Sequence, residues 1–203
     1  MGSAPSNRPE LELESRRLFF SGLGKATLSA TAVALIVGCE SMAANSGKQT
    51  AAHTGKDVDI LNVALGLEHE AIGAYQLGAE SGLLQKPVLD VAVLFQSQHK
   101  EHRDALIGAI EKFGGKPVAS KPMNEYASAL NAGSLKSQTD VLTLAAKLER
   151  GAANAYLGVI PSFEDSGLAQ VAGRLAADET MHWTVLAQAL NQPLPMNALS
   201  FGA

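Results

Sequence analysis

Cysteine is almost absent from this sequence: Cys39 is the one thiol among 203 residues. A single cysteine cannot form an internal disulfide, and it cannot supply the paired thiols of a zinc knuckle or an iron–sulfur site. Aromatic residues make up only 5% of the chain and the formal net charge is -4 at pH 7. The basic surface of a nucleic-acid-binding protein is therefore missing, and we expect no nucleic-acid partner.

Hydrophobic residues are plentiful, at 46%, which is enough for one ordinary domain and a tail. The first residues, however, indicate an export signal. Residues 15–20 (SRRLFF) resemble a twin-arginine export motif, and a largely apolar run follows at residues 22–38. Residues 36–39 (IVGC) resemble a bacterial lipobox, with Cys39 as the lipidated residue. We expect a protein exported to the periplasm, or a lipoprotein facing it. We expect the protein to contact the membrane only through the signal segment or the lipid.

An uncleaved membrane anchor is the alternative for this segment. The apolar run is short for a transmembrane helix and contains Lys25, so the export signal is favoured. The predicted organisation is an export signal with a lipobox at 1–39, a flexible tether at 40–56, a helical bundle at 57–192 and a C-terminal tail at 193–203.

Helical periodicity continues from Asp57 onward. Turn and cap residues divide it into four long helices near 57–81, 87–113, 138–160 and 165–191. Their connections are short, long and short, and the long one contains a short helix around residues 126–130. Short links join antiparallel neighbours, and a long link can cross a bundle. The predicted fold is therefore all-α: an antiparallel four-helix bundle with one long crossover between the second and third helices.

Ionisable residues recur at the middle of each predicted helix. In the fourth helix, Glu179 and His182 are three residues apart, and a turn of about 100° per residue places them on one face. In the first and third helices, a Glu is followed seven positions later by a Tyr. In the second and fourth helices, a residue that can bind metal is followed three positions later by a His. The full set is Glu68 and Tyr75, His99 and His102, Glu149 and Tyr156, and Glu179 and His182.

These motifs resemble the ferritin-like superfamily, in the erythrin and rubrerythrin style of di-metal carboxylate bundle. The family pattern has one Glu from each of two helices and Glu-x-x-His from each of the other two. The resemblance implies terminal carboxylates at Glu68 and Glu149, a bridging carboxylate at Glu179, and imidazole ligands at His102 and His182. It implies that Tyr75 and Tyr156 bond a carboxylate or relay an electron. The alternative is a polar layer without metal, with tyrosines that only fill the core.

His99 stands where the family pattern has Glu, and an imidazole removes one charge and one carboxylate bridge. The alternatives to two irons are then two metals with a single carboxylate bridge, one metal, or a zinc or manganese ion. Asp178, Glu70 and Glu101 are expected to face solvent, as is His69.

The function expected from the resemblance is a metal-binding protein of the cell envelope. Its non-haem iron centre would react with oxygen or peroxide as a ferroxidase or peroxidase, or would handle iron. No cysteine pair is present for a rubredoxin part, so electrons are expected from elsewhere. A non-catalytic metal-binding or stress-protection bundle is the alternative, and manganese-catalase activity is disfavoured by the missing Glu. The chain could assemble as a homodimer.

Overall fold

The computed structural model describes residues 51–202. In that range it contains five α-helices and no strand, which confirms the all-α class. The export signal, Cys39 and residues 40–50 of the tether lie outside the described residues. The helices are α1 (Ala51–Glu80), α2 (Lys86–Lys112), α3 (Met123–Ala129), α4 (Gln138–Val159) and α5 (Ser166–Ala189).

The three later long helices begin at the predicted cap residues. Pro87 lies in the first turn of α2, where its missing N–H costs no hydrogen bond. Ser137 caps α4 by accepting a hydrogen bond from the backbone N–H of Asp140. Asp165 caps α5 in the same way, with Leu168 as the donor. These helices therefore begin and end within two residues of the predicted bounds.

Helix α1 departs from the expectation at its beginning. It starts at Ala51 instead of near Asp57, so the last residues of the predicted flexible tether, 51–56, are helical. Two alanines open this stretch, and alanine has the highest intrinsic helix propensity. The Ala-, Ser- and Gly-rich composition that indicated a tether is therefore no barrier to helix formation at its C-terminal end.

Two apolar clusters make up the core. The Leu65 cluster contains Leu61, Ala64, Leu65, Leu106, Ala109, Ile110, Tyr156, Leu168, Ala172, Leu175 and Ala176. The Leu186 cluster contains Tyr75, Ala92, Phe95, Leu142, Ala146, Trp183, Leu186 and Ala187. Helices α1 and α5 run from the Leu65 cluster to the Leu186 cluster, and α2 and α4 run the other way. Each long helix passes from one cluster to the other near its middle, where the ionisable residues occur.

Two apolar residues beside the inward faces of their helices are partly exposed. Leu94 on α2 keeps 53% of its surface exposed, and Val185 on α5 keeps 44%. Both lie next to inward residues, Phe95 and Leu186, and a step of one residue rotates a side chain by about 100°. Each side chain therefore lies at the edge of the core although its neighbour is buried.

The connections and the C-terminal tail pack onto the long helices. Tyr126 of α3 is buried against Gly73 of α1, where a β-carbon would come within 2.9 Å of the ring. In the tail, the Phe201 ring packs edge-on against Trp183 with centroids 5.1 Å apart. No helix among the described residues is long and apolar enough to span a membrane.

Candidate metal centre

A layer of six ionisable side chains lies between the two apolar clusters. Each of the four long helices contributes to it, and no member exposes more than 8% of its surface. Burying so many charged groups is costly unless they pair or bind a cation. The members, which are the six predicted metal ligands, are Glu68, His99, His102, Glu149, Glu179 and His182.

The layer divides into two groups, each with the composition of a metal site. One group consists of Glu68, His99, His102 and Glu179, and the other of His99, Glu149, Glu179 and His182. Within each group, one nitrogen or oxygen atom per residue lies within 4.8 Å of the others. His99 and Glu179 belong to both groups, so two neighbouring cation positions would share these residues.

His99 is placed to contact both groups through different atoms. Its Nδ1 lies 2.8 Å from Oε2 of Glu68, and its Nε2 lies 3.2 Å from Oε1 of Glu149. The structure places its two nitrogens toward opposite halves of the layer, which the spacing of residues could not indicate.

Glu179 lies between the other two histidines. Its Oε1 is 3.1 Å from Nδ1 of His102, and its Oε2 is 3.4 Å from Nδ1 of His182. Each carboxylate oxygen therefore faces a different imidazole. This is the arrangement that a bridging carboxylate requires.

Both tyrosines hydrogen-bond to a carboxylate of the layer. The Tyr75 hydroxyl donates to Oε1 of Glu149, and the Tyr156 hydroxyl donates to Oε1 of Glu68. Each tyrosine thus pairs with the Glu of the other half of the repeat. Burial, with the charge of the neighbouring carboxylate, raises the pKa of each phenol well above its ordinary value, so both keep their protons.

Gln98 and Asp178 hold the outer nitrogens of two histidines. Nε2 of His182 donates a hydrogen bond to Oε1 of Gln98 at 2.7 Å, and Nε2 of His102 lies 3.3 Å from Oδ2 of Asp178. A proton fixed on Nε2 leaves the Nδ1 lone pair directed at the layer, as in many metal sites.

Neither outer contact was predicted, and Asp178 was expected to be solvated; it is 44% exposed. The sequence does contain a signal for both residues. When the two x-x-His helices are aligned on His102 and His182, Gln98 and Asp178 occupy the same position, four residues before the His. Glu101 is exposed as expected. Glu70, which was also expected to face solvent, is half-buried. Neither glutamate belongs to the layer.

The charges of the layer stabilise one another. Burial alone would raise the pKa of Glu68, but the neighbouring imidazoles of His102 and His99 lower it to about 2. Burial would likewise lower the pKa of His99, yet hydrogen bonds with Glu149 and Glu68 raise it to about 10. Burial raises the pKa of Glu179. A metal ion would therefore compete with protons for the imidazoles, as is usual for such ligands.

Five buried atoms of the layer have no hydrogen-bond partner among the described residues. They are Nδ1 of His102, Nδ1 of His182, Oε2 of Glu149 and both carboxylate oxygens of Glu179. A polar layer without metal would be expected to satisfy these atoms, because an unpaired buried polar atom costs about 1–3 kcal/mol. Imidazole nitrogens and carboxylate oxygens are the usual ligands of first-row metals. The residues present therefore fit a metal centre.

The comparisons with known proteins agree on the fold. A family model described as a ferritin-like domain matches residues 56–192, which is more than half of the chain. The crystal structure of a conserved hypothetical protein from Mycobacterium tuberculosis superposes with a TM-score of 0.58 at 21% identity. The match covers 73% of this chain and 98% of the other. No curated protein shows significant similarity to the sequence.

Proposed function

Because this chain belongs to the ferritin-like domain family, we propose that its buried layer holds two metal ions and that the metal is iron. The observation that carries the proposal is the pair of ligand groups that share His99 and Glu179. The five unpartnered buried atoms, which all belong to these groups, support it.

The proposed architecture is an antiparallel four-helix bundle with one long crossover between α2 and α4. Its support is the order in which the helices join the two apolar clusters. Helix α2 ends at the Leu65 cluster and α4 begins at the Leu186 cluster, so the connecting segment, 113–137, returns along the bundle. This topology brings the middles of all four helices to one depth.

In the proposed centre, each ion has its own terminal carboxylate and its own histidine. Glu68 and His102 serve one ion, and Glu149 and His182 serve the other. Glu179 and His99 belong to both groups and would be shared between the two positions. To serve both, His99 would have to give up both of its ring protons. The support for the shared His99 is that its two nitrogens lie 2.8 Å and 3.2 Å from the carboxylates of different groups.

We propose an oxidoreductase of the ferroxidase or peroxidase type. Bound iron supplies a one-electron couple and a Lewis acid for reaction with oxygen or peroxide. The protein supplies the surroundings: an apolar cluster packs against the layer on either side along the bundle. Tyr75 and Tyr156 each hold a proton against a carboxylate oxygen, and each could supply an electron together with that proton.

The proposed location is the periplasm, reached through the twin-arginine-like segment at residues 15–20. Lipidation of Cys39 would hold the bundle at a membrane surface. The support for both the location and the lipidation is the sequence resemblance alone. A homodimer is the proposed assembly, and sedimentation of the purified chain tests it.

Elemental analysis of the purified chain tests the proposed function. We expect iron at a ratio near two per chain, with consumption of oxygen or peroxide by the reduced protein. Zinc at about one per chain, or no bound metal after reconstitution, would contradict the oxidoreductase and leave a non-catalytic binding or structural bundle.

Substitution of Glu179 tests the ligand assignment. Because this residue is shared by both groups, Glu179→Ala is expected to lower the metal-to-chain ratio at both positions, whereas His182→Ala is expected to affect mainly one. Glu101→Ala is the matched control, since Glu101 is an exposed glutamate on α2. Unchanged metal content in Glu179→Ala and His182→Ala would refute the assignment.

A further inference from the structure

A cavity of about 450 Å³ opens between α1 and α4 and extends between the neighbouring helices. Small side chains make room for it: Ala71, Ala74 and Gly78 on α1 face Ala145 and Ala152 on α4. Larger apolar residues from α2, α5 and the segment before α4 complete its walls. Its volume lies within the range of about 300–1,000 Å³ that is usual for small-molecule sites.

The floor of this cavity is formed by the candidate metal centre. Tyr75, His99 and Glu149 all line it, although they expose only 7%, 1% and 2% of their surfaces. The cavity therefore penetrates to groups that a protein partner lying on the surface could not contact. An occupant that fills it must be small enough to enter between the helices.

The lining indicates the chemistry of the occupant. Apart from the floor, the charged lining residues in the described part of the chain are Glu70, which is half-buried, and Lys147, which is exposed. A cation would lose its hydration against apolar walls, and an anion would in addition approach the carboxylate of Glu149. Both considerations favour a molecule without charge.

We propose that this cavity binds an uncharged, mainly apolar molecule of about fifteen non-hydrogen atoms, taking roughly 30 Å³ for each. Its inner end lies beside Tyr75, His99 and Glu149. What the molecule does in the cavity rests on the proposed metal centre, because its inner end would then lie beside residues that would hold the metal. Binding itself depends only on the cavity, and is therefore tested with and without metal.

The test is calorimetric titration of the full chain with 1-decanol, in metal-free and metal-loaded samples whose metal content is measured. We expect one decanol per chain in both samples. In the metal-free sample, where the carboxylate of Glu149 carries no bound cation, decanoate, which has the same chain length, is expected to bind at least about tenfold more weakly. Ala152→Phe fills the cavity and is expected to weaken decanol binding at least about tenfold. Ala105→Phe is the matched control, because Ala105 is a half-buried helical alanine outside the cavity.

A second variant covers the case in which Ala152→Phe does not fold. Leu148→Ala enlarges the cavity, so 1-hexadecanol, which is larger than about fifteen non-hydrogen atoms, is expected to gain affinity relative to 1-decanol. Absence of decanol binding by the wild-type chain, or equal weakening by Ala152→Phe and Ala105→Phe, would overturn the proposal. The proposal would also be overturned if the chain bound no decanol and formed a dimer that Ala152→Phe dissociated, because a second copy would then occupy the cavity. Decanol binding by a chain that takes up no metal even after reconstitution would retain the cavity site while the proposed function fails.

Discussion

At the scale of single residues, the centre is a two-fold repeat with two breaks in its symmetry. The repeat is seen in the crossed hydrogen bonds, Tyr75 to Glu149 and Tyr156 to Glu68. One break is His99, which stands where the second half has Glu179. The other is the pair of outer contacts, in which one histidine has an amide partner and the other a carboxylate. The two cation positions are therefore chemically unequal, even though their helices are alike.

The amide partner gives a prediction for Gln98. In Gln98→Leu, the Nε2 proton of His182 loses its acceptor, so the imidazole is no longer held with Nδ1 toward the layer. We expect metal affinity at one of the two positions to fall about 10–100-fold, as for other outer contacts of metal ligands. Competition with a chelator of known affinity measures this. The exposed neighbour Ser97 provides the control, Ser97→Ala, and equal affinities in the two variants would contradict the role of Gln98.

At the scale of elements, Asp57 joins the beginning of α1 to the beginning of α5. Its carboxylate is buried and accepts hydrogen bonds at 3.0 Å from the backbone N–H groups of Glu164 and Asp165. Asp57→Ala leaves these two donors without their acceptor, and we expect a loss of about 1–3 kcal/mol in the free energy of unfolding. Denaturant unfolding measures it. Asp59→Ala changes an exposed residue of the same helix and should have little effect; similar losses in both variants would refute the link.

The docking of α3 onto α1 gives a second prediction at this scale. In Gly73→Ala the new β-carbon would lie 2.9 Å from the Tyr126 ring, whereas at Gly66 nothing lies within 4 Å. We expect Gly66→Ala to stabilise the protein by about 0.5–1 kcal/mol through helix propensity. Gly73→Ala should instead destabilise it by about 1–3 kcal/mol through overpacking. Denaturant unfolding of both variants decides the matter, and a gain in stability at both positions would show that α3 does not pack closely on α1.

At the scale of the whole molecule, the sequence predicts the helices and the identities of the six ionisable residues of the buried layer. This succeeds because Glu68, His102, Glu149 and His182 repeat at helical spacing and lie at mid-length, both of which depend only on local geometry. What it could not predict depends on the rotation and approach of different helices. The contact of Gln98 with a histidine on α5, like the crossed tyrosine bonds, exists only after the helix pairs have met. The cavity beside α4 likewise arises from the distance between two helices.

The position of the polar layer, between two apolar clusters and across all four long helices, gives the last prediction. A metal ion held there ties every long helix to one point, and an ion that binds only the folded state adds to its stability. At a free metal concentration of about one hundred times Kd, the gain is about 2.7 kcal/mol for each site. For a domain of this size each site then raises Tm by about 5–10 °C, so two sites raise it by about 10–20 °C.

Differential scanning calorimetry of metal-loaded and chelator-treated protein measures this shift. In Glu179→Ala, which removes the residue shared by both ligand groups, the shift should nearly vanish. In Glu101→Ala it should persist. If the loaded wild-type protein, with its metal content verified, melts at the same temperature as the chelated protein, then the ions bind the folded and unfolded chains equally well, and the layer, which exists only in the folded state, does not hold them. The two apolar clusters would in that case be held together by Glu–His pairing alone.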